Sequence, residues 1–229
     1  MEFENKILVA TGCSHTYGNY LGQPDGIECH QRSWVKKLEI KGKFLKSDNI
    51  AIGGGSNQRS FRVTKEYILS NIDILDNIVV IIGLTEPSRF ELPSVQNTPL
   101  RDVTFKGNYY MNKFGSWHIQ NDNGNIQNFI DQYYSTFCVD EHVKHTLFLD
   151  ILSMHFFLKS LQVKHYFFCF LIDNNYFNGY DLTNIPIYDF HGEPAITYAK
   201  KNGFKVGRDI NPQIDCNHLD HDGNEFLAD

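Results

Sequence analysis

Apolar positions in this chain fall into short unbroken runs, separated by stretches in which they recur three or four residues apart. Lys6 to Thr11 is one such run and predicts a buried strand, with Gly12 as the turn that ends it. Asn77 to Leu84 (NIVVIIGL) is the clearest, β-branched and continuous, as expected of a strand covered on both faces. Tyr166 to Ile172 predicts a further buried strand, and Asp48 to Ile52 a shorter one running into Gly53-Gly54-Gly55. The intervening segments carry helical spacing. Trp34, Val35 and Leu38 place an amphipathic helix over Gln31 to Ile40. Asn57 to Ser70 predicts a second helix with Ser56 as its N-cap, Val139 to Leu161 a long third, and Glu193 to Asn202 a short fourth. Asp173 to Gly192 reads as a loop.

Strands and helices alternating at this spacing predict an α/β fold: a doubly wound parallel sheet in a three-layer α/β/α sandwich. The alternation breaks from Glu86 to about Tyr134, where Pro87, Pro93, Pro99, Gly107, Gly115 and Gly124 interrupt a run of aromatics. Residues 86–134 are therefore read as an aromatic, partly β insertion on the α/β frame. Its Tyr109, Tyr110, Phe114 and Trp117 either pack on the domain's own core or stack on sugar rings. No repeat or linker divides the chain, so its 229 residues are expected to form a single domain.

Composition removes several function classes. A net charge of −6 argues against binding the phosphate backbone of nucleic acid. No apolar run is long enough to span a bilayer. The start, MEFENKILVA, lacks the basic residues and long apolar core of a signal peptide. Five cysteines without a C-x-x-C pair fit a reduced protein, so the expected location is cytoplasmic. No cofactor is expected, because Gly53–Gly55 lacks the Lys-Ser/Thr of a phosphate-binding loop. No metal is expected either: His142 with His145, and His218 with His221, lack the further ligand of a zinc spacing.

What remains is chemistry at strand ends, where sheets of this kind gather their functional groups. Gly12-Cys13-Ser14, Gly53–Gly55 and Gly83-Leu84-Thr85 all fall at such ends. Ser14 is answered near the other terminus by Asp215 and His218, in DCNHLDHDG. A serine hydroxyl attacks only when a base takes its proton, and that base needs a partner to orient it. Ser14, His218 and Asp215 supply those three parts, with Asp209 and Asp220 as the other acids in reach of the role. His15, beside the serine, reads as a residue lining the site. Arg89 in TEPSRFE either faces the cleft, to meet a carboxylate or phosphate, or pairs with Glu86 or Glu91. The segment beyond His221 is short and leaves little room for a final covering helix.

These motifs, in this order, resemble the sequence blocks of the SGNH (GDSL-like) hydrolases. Gly12-Cys13-Ser14 matches the Gly-Asp-Ser block, Asn49 to Gly54 the block of an asparagine followed by glycines, and Asp215-x-x-His218 the last block. The resemblance implies an SGNH/flavodoxin-like fold, with Ser14 as nucleophile, His218 as base and Asp215 as its orienter. It further implies an oxyanion hole from the Ser14 and Gly54 amides, with Gly53 or Gly55 in the second place under a shifted register. The implied activity is hydrolysis of small acyl esters such as acetyl, on carbohydrate, through an acyl-enzyme. O-acyl transfer and a catalytically silent binding module of the same fold are the alternatives. Two positions depart from the pattern. Cys13 replaces the aspartate before the serine, and Thr85 stands where the oxyanion-hole asparagine of the third block belongs. A threonine hydroxyl can donate in its place.

Overall fold

The computed structural model describes residues 3–18, 29–94, 110–114, 125–204, 218–219 and 221–228. Its frame is a five-stranded sheet in the order β2-β1-β3-β6-β7, parallel throughout. The strands are β1 (Ile7–Thr11), β2 (Lys46–Asn49), β3 (Ile78–Leu84), β6 (Lys164–Cys169) and β7 (Ile187–Tyr188). Every residue of β1 and β3 is buried, which is why their runs are apolar without alternation. They pair from Ile7 with Ile78 to Thr11 with Ile82, and β3 runs two residues further, to Leu84.

Helices cover both faces. The described helices are α1 (Ser14–Tyr17), α2 (Trp34–Gly42), α3 (Asn57–Ser70), α4 (Asn125–Gln132), α5 (Asp140–Ser160), α6 (Ala195–Lys201) and α7 (His221–Phe226). Phe61 and Ile68 of α3, with Leu147, Ile151, Met154 and Leu158 of α5, pack against Val9, Val80, Ile82 and Phe167. On the opposite face Trp34 and Val35 of α2 and Ala195, Ile196 and Ala199 of α6 meet Leu8, Ala10, Val79 and Ile81. Successive residues of β1 and β3 thus serve opposite layers, and the sheet is the middle of a three-layer sandwich.

The insertion forms its own small unit. β4 (Phe90–Ser94) and β5 (Tyr110–Phe114) are an antiparallel pair, and Phe90, Phe114 and Ile130 make a separate apolar cluster with α4. Phe90 stacks on Phe114 at 5.0 Å and meets Tyr133 at 4.0 Å between ring centroids. Self-packing accounts for these aromatics; Tyr109 and Trp117 lie outside the described residues. Arg62 of α3 grips Glu91 through Nε (2.8 Å) and a second guanidinium nitrogen (3.1 Å), fastening the insertion to the frame.

Four elements differ from the sequence reading. β2 ends at Asn49 instead of Ile52, since it is an edge strand whose residues reach only β1; Ile50 and Ala51 are apolar because they pack in the turn beyond it. β6 starts two residues early and stops at Cys169, opposite the last residue of β3. β7 occupies part of the supposed loop, too short for any periodicity, and is joined to β6 by Phe167 N–H donating to the Pro186 carbonyl at 2.9 Å. A covering helix does form near the C-terminus: six-residue α7, held to α2 by Glu225 pairing with Lys37 and Lys41.

A buried histidine pair closes the far end of the α5–β6 connection. His165 Nδ1 donates to the Val163 carbonyl at 2.8 Å, so its Nε2 accepts from His155 Nδ1 at 2.9 Å. The His165 ring must be neutral for this chain to exist. Burial is the main reason each is held below its ordinary value, with Lys159 adding to it. A histidine whose folded value is depressed gives stability that is complete above its unfolded value near 6.5 and is lost as pH falls below it. The urea midpoint is expected to drop from pH 7.5 to pH 5.5, and His165→Gln should shrink that drop by a third or more. An unaltered drop would place the acid sensitivity elsewhere.

Candidate active site

The sheet order has its switch point between β1 and β3, from which the chain runs off to opposite faces. Ser14 opens α1 there, three residues beyond the end of β1. Gly12 permits the turn: its φ is +152°, and a Cβ would lie 2.4 Å from Thr16 Oγ1 and 3.0 Å from the Gly83 carbonyl. Gly83 is under the same constraint, since its Cβ would meet Thr16 Oγ1 at 2.6 Å and the Phe170 ring at 3.0 Å. Thr16, fully buried, is thus the post on which the β1 and β3 ends close. Nothing in the sequence pattern marked it.

The loop after β2 reaches the same spot. A Cβ on Gly55 would lie 2.9 Å from the Gly12 carbonyl. Asn49 Nδ2 donates to the Thr16 carbonyl at 2.8 Å while its Oδ1 accepts from the Ala51 amide at 3.2 Å. Asn49 therefore ties the glycine turn to the helix that carries Ser14. Arg59, buried in α3, donates to the Ile50 carbonyl at 3.1 Å and braces the turn from below. Gly54 takes a φ of +70°, which a glycine adopts without steric cost.

Thr85 follows β3. Its amide donates to Asn57 Oδ1 at 2.9 Å and its carbonyl accepts from Asn57 Nδ2 at 3.0 Å. The Thr85 backbone is fixed, while its fully buried Oγ1 has no hydrogen-bond partner among the described residues. Buried hydroxyls without partners are uncommon in finished structures and are found disproportionately where a ligand or water completes the bonding.

Ser14, His15 and His218 line one recess of about 210 Å³ counting its mouth, with Phe170, Leu219 and Asn224 around them. His218 stacks on His15 at 4.5 Å between ring centroids, and His15 is flanked by Phe170 at 6.2 Å. Burial holds the His218 imidazole down at about 4, with the Arg89 guanidinium as the second cause. His15 is pushed well below its ordinary value by burial first, then by His218, Arg89 and Lys200. Both rings are neutral at neutral pH, the form in which an imidazole accepts a proton.

Asn224 of α7 is a further residue that sequence reading passed over. Its Oδ1 accepts from the Trp34 amide at 3.1 Å and its Nδ2 donates to the Leu219 carbonyl at 3.2 Å. It holds the residue after His218 against the start of α2. Arg89 lies in a second recess of mixed polarity, lined among others by Asn57, Tyr133, His142, Leu147 and Asp150. Its Nε donates to Glu86 at 3.4 Å, while Glu91 belongs to Arg62. Asp215, Asp209 and Asp220 lie outside the described residues.

No protein-family model and no curated protein matches the sequence. Solved structures do match. One, described as a lipolytic protein of the G-D-S-L family from Desulfitobacterium hafniense DCB-2, is 13% identical with a TM-score of 0.51. The match covers 98% of this chain and 96% of that one. An acetyl xylan esterase is 14% identical at a TM-score of 0.51, over 97% of this chain and 96% of its own. At such identity the likeness is one of fold, and it runs nearly end to end. With its strand order and its serine at the sheet's switch point, this chain has the α/β/α fold of the G-D-S-L (SGNH-like) hydrolases.

Proposed function

We propose that this chain is a serine esterase, one catalytic domain that hydrolyses small acyl esters such as acetyl groups on carbohydrate. The observation that carries the reading is the shared recess of Ser14 and a neutral His218 at the switch point of the sheet. His218 takes the Ser14 proton as Oγ attacks the ester carbonyl, then returns it to the departing alcohol. Asp215 orients the imidazole and offsets the positive charge it gains. The Ser14 and Gly54 amides and the Thr85 hydroxyl hold the oxyanion. Water releases the acyl-enzyme. His15 walls the site, and Arg89 favours substrates with an anionic group on the alcohol side. The free thiols of Cys13, Cys138 and Cys169 suit a reducing, cytoplasmic setting.

The test is p-nitrophenyl acetate hydrolysis by the full chain, run beside covalent labelling with a fluorophosphonate. Turnover together with a label mapped to Ser14 supports the reading; a folded chain that neither turns over nor labels would sink it.

The pH profile adds a second handle. Only neutral His218 acts as base, so kcat/KM should be level near neutrality and fall in acid with a midpoint below the ordinary 6.5. The Arg89 charge opposes the imidazolium, so Arg89→Gln should raise that midpoint toward the ordinary 6.5. A midpoint that stays put in Arg89→Gln would mean the guanidinium does not act on the base.

A further inference from the structure

An apolar chamber adjoins the Ser14 recess. It is lined by Trp34 and Leu38 of α2, Phe168 of β6, Phe190, Leu227 and Ala228, and it occupies about 490 Å³ counting its mouth. The chamber shares two walls with the recess, Phe170 and Leu227. Phe170 stands between the two spaces, with its ring 6.2 Å from His15 on one side and 5.6 Å from Trp34 on the other. The recess is small and polar, the chamber larger and hydrocarbon-lined, and the recess of Arg89 is lined by other residues. A hydrocarbon space thus lies next to the Ser14 recess, across Phe170 and Leu227.

We propose that the chamber behind Phe170 receives the acyl chain of the ester, so that acyl groups of about six to eight carbons are preferred over acetyl. This rests on the serine-esterase reading and replaces its acetyl preference with a longer acyl group, whose tail enters between α2 and Phe190. Leu38, Phe190, Leu227 and Ala228 then set the length limit. Hydrocarbon buried in such a space favours the longer ester by roughly fourfold for each methylene. Acetate to hexanoate adds four methylenes, for a gain of roughly 250-fold in kcat/KM.

The experiment measures kcat/KM on p-nitrophenyl acetate, butyrate, hexanoate and octanoate for the wild-type chain, Leu38→Phe and Ala228→Leu. The expected result is a rise with chain length in the wild type, flattened in both filled variants. A wild-type profile that falls from acetate onward overturns the proposal, as does a rise the filled variants leave intact. Urea midpoints close to the wild type's show that the variants fold. A second readout needs no catalysis: Trp34 and Trp117 are the two tryptophans, so Trp117→Phe leaves Trp34 as the sole emitter. Octanoate should change its emission saturably, and a flat titration to millimolar octanoate counts against the chamber. Should the wild type turn over no ester while octanoate still saturates Trp34, the esterase reading fails and the chamber stands.

Discussion

Ser14→Ala should lower kcat/KM on p-nitrophenyl acetate by about 10,000-fold or more and abolish fluorophosphonate labelling, with the urea midpoint little changed. The size follows from chemistry. Without the nucleophile no acyl-enzyme forms, and what remains is the stabilisation that the oxyanion donors give to direct attack by water. Stability should hold because the serine sits in the first turn of a four-residue helix, where alanine is well tolerated, and its backbone is fixed by neighbours. Gly12, Thr16 and Asn49 shape the turn, and none of them depends on the Ser14 hydroxyl for a contact described above. Equal rates in the two proteins would mean that the turnover belongs to another group, and His15 would be the next residue to replace.

Thr85→Val should separate rate from stability. Loss of one oxyanion donor costs about 100- to 1,000-fold in kcat, and valine keeps the β-branched shape without the hydroxyl. The Thr85 hydroxyl is buried without a partner among the described residues, so exchanging it for a methyl should leave the folded state as stable or more so. The loop is not expected to move, because Asn57 holds both the amide and the carbonyl of Thr85. A kcat that survives the change would make the hydroxyl a spectator and leave the oxyanion to the Ser14 and Gly54 amides. A fall in stability instead would give Thr85 a packing role. Stopped-assay kinetics and urea melts on the same preparation decide between them.

How much of this was legible beforehand depends on the length scale of each signal. β3 and α3 were readable almost to the residue, because a seven-residue buried strand and a capped fourteen-residue helix carry their periodicity with them. β7 was not, since two residues have no period. Ser14 and His218 could be paired from their motifs, and the structure puts them in one recess. Thr16 and Asn224 could not, because their roles exist only between segments distant in sequence: Thr16 separates Gly12 from Gly83, and Asn224 reaches Trp34 across 190 positions. Arg89 was left between two roles by its sequence; the structure shows its ion pair with Glu86, and its charge is felt by His15 and His218.

The double grip of Asn224 limits how this protein could be retuned. One amide side chain fastens the first residue of α2 and also the carbonyl of Leu219, the neighbour of His218. Trp34 presents its indole to the chamber behind Phe170 while its backbone hangs from that same asparagine. Any change at Trp34 that shifts the start of α2 would therefore tug on the imidazole. Selection for a different acyl length acting on Trp34 would drag turnover with it, whereas Leu38 and Ala228 meet the chamber without touching that tether. Variation that broadens the substrate range without loss of speed should accumulate at those two positions, and Trp34 should change only together with Asn224.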